Sequence, residues 1–230
     1  MSTLSIPMPR EQLERVVRQS VRERFAARLQ AGEMQLSAAY TPNLVVNISA
    51  RHMHISQEHL ERLFGAGAEL TVYRWLYQPG EFAAEQTVAV VGPRRRMIDG
   101  VRILGPVRER SQVELSFTDS VALGVDAPLR PSGRIDGSQG CLIMGPKGTI
   151  ELGQGVIRAE RHVHMSPADA ETYGFVDGQY VKLRVESDCA VVFERVLCRV
   201  SPKVLLEVHI DTDEGNACNL VNATSVELMA

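Results

Sequence analysis

Four cysteines are scattered through 230 residues, at Cys141, Cys189, Cys198 and Cys218, and no two of them form a C-x-x-C pair. That spacing reads as reduced thiols of a cytosolic protein, buried as small hydrophobes, with a catalytic cysteine the minor alternative. A strong charge of one sign is also missing. A net charge of -3 gives no global pull toward nucleic acid or an acidic membrane surface, so any anionic ligand must be met by a local site. Apolar runs such as 88–91 and 204–206 fall far short of the ~20 residues that span a bilayer. The first residues have neither an apolar h-region nor a small-residue cleavage site, so no secretory leader is expected. What remains is ordinary for a globular chain, 44% hydrophobic and 23% charged, long enough for one large domain or two small ones.

Residues 10–30 carry Leu13, Val16, Val17, Val21, Phe25 and Leu29 at i, i+3, i+4 spacing, with Arg and Glu on the other face and Gly32 closing the run. This pattern predicts an amphipathic helix. Periodicity alone leaves open whether it packs on the main body or docks on a partner. From about Asn43 the period changes. LVVNISA, LTVYR, QTVAVVG, VELSF, YVKLRVE and VLLEVHI are short, β-branched and bounded by Gly or Pro, so they read as strands.

An internal repeat organises this second region. ISARHMHIS (48–56) resembles IRAERHVHMS (157–166), and each is followed by a short helical stretch that Ser56 or Ser166 is placed to cap, with Pro167 at the first helical position. Further on, 103–117 matches 196–210 without gaps. The reading is mainly β: two small barrel-like domains from one repeated unit, spanning 43–156 and 157–230, after a helical segment and linker at 1–42. The final strands are allowed to return to the first domain.

Side chains two apart on a strand share a face. His52 and His54 therefore project together, as do His162 and His164, and one such pair in each repeat points to transition-metal coordination. The plainer reading is histidines held by hydrogen bonds. The second matched block offers third ligands, with Glu114 aligned to Glu207 and Ser116 to His209. The candidate sites are His52, His54 and Glu114, and His162, His164 and His209. Three protein ligands leave a position open, as catalytic metals require. Glu207 is then a supporting group or a solvated rim residue, and His59 a surface histidine. Arg108, approaching the Glu114 strand, is placed to hold a phosphate in its planar fork, or else is a solvated loop arginine. The run 93–96 reads as a solvated turn.

VNISARHMHIS, YQPGEFAAEQTVAVVGP, RILGPVR, QVELSFTDSVALG, RHVHMSP and HIDTDEGNA together resemble the PduL-type phosphate propanoyltransferase family, the phosphotransacylases of bacterial microcompartments. The resemblance implies an enzyme of two β-barrel domains that interconverts acyl-CoA plus phosphate with acyl phosphate plus CoA. It implies two zinc ions on the two triads already named, phosphate on Arg108, and CoA contacts at Arg102, Leu104 and Asn216. It further implies that the N-terminal helix is an encapsulation peptide meeting microcompartment shell or lumen proteins, and that the chain is a homo-oligomer without nucleic-acid or membrane partners. Two competing readings remain: a two-metal hydrolase of a phosphoester or amide, and a shell adaptor whose metals only hold the fold.

Overall fold

The structure is a computed structural model that describes residues 40–230; the helix expected over 10–30 lies outside the described residues. Pro42–Ala230 form one compact unit. Its first stretch runs through strands β1 (Val45–Ser49) and β2 (His52–His54), helix α1 (Gln57–Phe64), then β3 (Val72–Trp75), β4 (Phe82–Val91), β5 (Met97–Gly105) and β6 (Gln112–Glu114). Helix α2 (Phe117–Leu123) and strands β7 (Leu129–Arg130), β8 (Cys141–Met144), β9 (Thr149–Leu152) and β10 (Val156–Ala159) follow. The last stretch holds β11 (His162–Met165), α3 (Pro167–Tyr173), β12 (Tyr180–Glu186), β13 (Val191–Val200), β14 (Glu207–Asp211), α4 (Thr212–Ala217) and β15 (Ser225–Met229). No helix among the described residues is long and apolar enough to cross a membrane.

Local chemistry explains these elements. In β12, Val181, Leu183 and Val185 are buried while Tyr180, Arg184 and Glu186 are exposed, the period-two signature of a strand with one face on a core. Ser166 caps α3 by accepting from the Asp169 backbone N–H, Asp169 closes the capping box, and Pro167 occupies a first-turn position. Gly174 ends the helix at φ +71°, a left-handed conformation that a β-carbon would strain. Ser56 caps α1 by accepting from the His59 backbone N–H.

The strands form two curled sheets. A six-stranded sheet has the order β1-β14-β11-β13-β12-β15, and a larger one has β7-β10-β6-β2-β5-β4-β8-β9 with β3 added on β4. Each encloses its own apolar core, one including Met53, Ile55, Leu60, Ile103 and Ile143, the other Val163, Met165, Leu183, Val208 and Ile210.

Sheet membership departs from the boundary expected between residues 156 and 157, which falls inside β10. β1 precedes the first H-x-H yet pairs in parallel with β14 in the six-stranded sheet. β10 precedes the second H-x-H yet pairs in parallel with β6 in the larger sheet. Each repeat thus lends its first strand to the other. The final strand does not return to the first half, because β15 pairs with β12. Parallel partners are brought together by long crossovers, and period-two patterning specifies a strand's buried face but not its neighbour.

The pairing also corrects the repeat alignment. His52 lies opposite Glu114, and His54 opposite Gln112. His162 lies opposite His209, and His164 opposite Glu207. Glu114 therefore corresponds to His209 and Gln112 to Glu207, two residues away from the ungapped match. Ser116 caps α2 as Asp211 caps α4, and Arg51 pairs with Asp119 at 3.1 Å as Arg161 pairs with Glu214 at 2.9 Å. A slip of two keeps every side chain on its face, whereas a slip of one would have turned the ligands to the wrong side. The members of each expected triad therefore still come together on one face. VELSF and VLLEVHI are also strand only in part, since Phe117 opens α2 and residues 204–206 precede β14. Of the cysteines, Cys189 is exposed and the other three are buried.

Candidate metal centres

His52 and His54 sit on β2 between β5 and β6, both buried. Their rings stand nearly perpendicular with centroids 4.9 Å apart. The His52 Nδ1–H donates to the Ala50 carbonyl at 2.8 Å; a carbonyl only accepts, so this assigns the proton to Nδ1 and leaves Nε2 a bare lone pair. That lone pair lies 3.2 Å from His54 Nε2 and 3.5 Å from Glu114 Oε2, while His54 Nε2 is 3.8 Å from Glu114 Oε1. Donor atoms in a tetrahedral shell with bonds near 2.0–2.1 Å are about 3.3 Å apart. The first triad is therefore close to the spacing a transition-metal ion requires.

The second triad repeats this chemistry. His162 Nδ1–H donates to the Glu160 carbonyl at 2.8 Å. The rings of His162 and His164 are 4.8 Å apart at 87°, and His209 completes the group at 4.9 and 5.2 Å from them. Nδ1 of His209 is held by Ser49 Oγ at 3.0 Å, and its buried Nε2 meets no well-aligned hydrogen-bond partner, with Glu207 Oε2 3.1 Å away. A buried imidazole nitrogen facing two other imidazoles and a carboxylate fits a cation. In each triad the three ligand atoms lie within 4.8 Å of one another.

Neighbouring groups fix both carboxylates. Glu114 Oε1 accepts from Ser132 Oγ at 2.7 Å and Gln112 Nε2 at 2.5 Å, and the backbone N–H of Gly133 donates to Gln112 Oε1 at 2.9 Å. Burial pushes the Glu114 carboxyl upward, but His52, His54 and the Ser132 hydroxyl override it and hold it at about 2. Glu207 is neither solvated nor on a rim. It is 2% exposed, accepts from Asn47 and from Gln78 Nε2 at 2.6 Å, and lies 3.1 Å from His209 Nε2. Asn47 and Ser49 both come from the exchanged strand β1, so the first repeat helps to orient the second triad. Gln78, in the turn before β4, also exchanges hydrogen bonds with the backbone of Leu205. Ser132, Gly133 and Gln78 lie in loops with no periodic signal, so the sequence pattern did not reveal them.

The two centres share an environment. One cavity is lined by Glu114 of the first triad and by His162 and His209 of the second, together with Ser49, Glu160 and Asp211. Arg108 sits beside it. Its backbone N–H donates to Ile55, its Nη1 donates to Ser132 Oγ at 3.3 Å, and its Nη2 lies 4.0 Å from Glu81. The guanidinium is thus near Glu114 with only weak protein partners. Arg102 and Leu104 lie on β5. Arg102 is opposite His52, but its guanidinium donates to the Ala84 and Glu85 carbonyls and stacks on Tyr73. Asn216 is exposed on α4, and no contact unites it with those two. His59 is half-buried, its Nδ1 2.7 Å from Ser111 Oγ.

The fold and site define a mainly β protein with two adjacent, incompletely ligated candidate metal centres beside an arginine. A family model described as phosphate propanoyltransferase matches residues 45–221. The phosphate propanoyltransferase of Planctopirus limnophila is 52% identical over 222 residues, covering 96% of this chain and 91% of that one. The phosphate propanoyltransferases of Lachnoclostridium phytofermentans and Thermotoga maritima are 50% and 51% identical, over 80% and 78% of this chain and 86% and 85% of theirs. The chain belongs to the phosphate propanoyltransferase family, and is accordingly an acyltransferase.

Burial depresses three imidazoles, assisted by neighbouring histidines: His54 falls from 6.5 to about 3, His162 to about 4 and His164 to about 3. The metal-free folded chain therefore binds fewer protons than the unfolded chain from about pH 6.5 down to 4. Stability must rise with pH across that window. The urea midpoint of chelator-treated protein is expected to fall steadily from pH 7 to pH 5, and the double variant His54→Asn, His164→Asn to flatten the slope. A midpoint constant over this range would contradict the burial of the triads.

Proposed function

We propose that the chain is a phosphotransacylase that interconverts propanoyl- or acetyl-CoA plus phosphate with the acyl phosphate plus CoA, by direct attack of phosphate on the thioester. The observation that carries this reading is the cavity lined by Glu114 of one triad and by His162 and His209 of the other, with a weakly partnered arginine near Glu114, in a member of this family. A phosphate oxygen forms the new bond to the carbonyl carbon, the C–S bond breaks, and its electron pair leaves on the CoA sulfur. No serine or cysteine nucleophile is required; burial pushes the Cys141 and Cys198 thiols up to about 12 and about 11, far from reactive thiolates.

His52, His54 and Glu114 would hold one zinc ion, and His162, His164 and His209 the other. When bound, they supply positive charge for the developing oxyanion and the departing thiolate. The remaining work falls to the protein. Arg108 grips phosphate oxygens in its fork and turns them toward the thioester. Ser132 and Gln112 keep the Glu114 carboxylate ionised and oriented, and Ser49 fixes the His209 ring. Arg102, Leu104 and Asn216 serve CoA, with Arg102 already anchored to β4 and Tyr73.

The test is an acyl-CoA chain-length series assayed for thiol release with and without phosphate, on protein of known metal content. Phosphate-dependent release supports the reading; release without phosphate points instead to a hydrolase, and a blank assay to a structural role for the metals. Protein purified without chelator should contain about two divalent ions per chain. His52→Ala or Glu114→Ala should empty one site and His209→Ala the other, by elemental analysis. A stoichiometry of one would break the assignment of triads to sites. Arg108→Lys keeps the charge but loses the fork, so the KM for phosphate should rise several-fold or turnover fall with metal unchanged; wild-type kinetics would return Arg108 to a loop arginine.

Residues 10–30 act in this proposal as an encapsulation peptide that places the enzyme inside a bacterial microcompartment. The support is their amphipathic pattern and the position of every candidate ligand after residue 43. A chain starting at Tyr40 retains β1 and should stay folded, metal-loaded and active, while the full-length chain alone associates through the apolar stripe and co-localises with shells. Unfolding or metal loss on this truncation would assign the helix to the core.

A further inference from the structure

The second half carries an arginine that the reading above does not use. Arg199, on β13, lies opposite His164 in the parallel pairing of β11 with β13. Paired residues project to the same face of a sheet, so its side chain leaves on the side of the second triad, as Val163 and Cys198 turn into the core. A cleft beside β13 is lined by both His164 and Arg199, with Asp177 and Ser201 among its walls.

Comparison with its counterparts separates this residue from an ordinary strand arginine. The repeat puts Arg102 opposite His52 and Leu197 opposite His162. Each half thus carries one arginine at the strand beside its H-x-H pair, in different positions. The Arg102 guanidinium is spoken for, by two carbonyls and the Tyr73 ring. The Arg199 guanidinium has no hydrogen bond, ion pair or ring contact among the described residues. Its positive charge is felt at His162, His164 and Arg108. A guanidinium without a partner near a second one whose nearest carboxylate contact is 4.0 Å long forms a receptor for a multiply charged oxyanion.

We infer that Arg199 is a second phosphate-binding residue, which together with Arg108 clamps the inorganic phosphate and the phosphoryl end of the acyl phosphate from opposite sides of the site. The inference rests on the phosphotransacylase reading. Arg108 enters from the first repeat and Arg199 from the second, so the clamp joins the two halves around one anion. A dianion facing two fixed forks is also turned so that one oxygen is left free for the thioester. The phosphates of CoA are the other source of the same chemistry, and the experiment separates the two.

Arg199→Gln and Arg199→Lys would be compared with the wild-type metal-loaded enzyme. Calorimetric titration with inorganic phosphate should show affinity reduced roughly tenfold or more for Gln, as expected for a lost charged hydrogen-bond donor, and less for Lys. In turnover, the KM for phosphate and, in reverse, for acyl phosphate should rise in the same order. The KM values for acyl-CoA and CoA, and the two metals per chain, should not change. A raised KM for CoA with phosphate binding intact would assign Arg199 to the CoA phosphates and overturn the clamp. Loss of one metal would make it a support for His164, and unchanged phosphate affinity would make it a bystander. If the wild type itself hydrolyses acyl-CoA without phosphate, the function fails, while the phosphate titration still decides whether Arg199 binds the anion.

Discussion

Two imidazole nitrogens 3.2 Å apart beside a buried carboxylate, one of them with its ring proton already given to a carbonyl, set the central constraint of this molecule. Burial removes the water that would otherwise satisfy them. Either a proton on His54 Nε2 or a cation must fill the space between them. The paired rings recur in both cores, and in each pair the carbonyl two residues before the first histidine holds its ring.

Much of the surrounding polar structure follows from keeping those groups in place. The carboxylates sit at non-identical places in the two halves, with Glu114 opposite the first histidine of its pair and Glu207 opposite the second. One half therefore presents two imidazoles and a carboxylate, the other three imidazoles with a carboxylate alongside. A duplicated scaffold has acquired two candidate centres of different ligand chemistry, with the carboxylate inside the triad in one and beside it in the other. The exchange of β1 and β10 between sheets ties the halves together where this difference matters, since Ser49 and Asn47 reach the second triad from the first repeat.

The arginines add direction to this asymmetry. Arg102 is committed to neighbouring backbone and ring, whereas Arg108 and Arg199 approach the site with weak partners or none. Clustering of under-satisfied cations beside under-satisfied lone pairs is costly in an empty site. It is consistent with an anion and cations arriving together, and with a cavity organised for a reaction more than for stability.

Period-two patterning and cap chemistry made much of this legible in advance. The mainly β class, the caps at Ser56 and Ser166, and the pairing of His52 with His54 and His162 with His164 follow from local sequence, because a strand's face and a helix's first turn are decided within a few residues. Glu114 and His209 were reachable because a two-residue slip in the repeat alignment leaves the face unchanged. Register, partner choice and loop placement were not legible. That Glu114 matches His209 rather than Glu207, that β1 and β10 cross to the opposite sheets, and that Gln78 and Ser132 close on the carboxylates all depend on contacts between residues far apart in the chain. Hydrogen bonds between strands can be satisfied by many partners of similar pattern, and only packing of the two whole cores selects one.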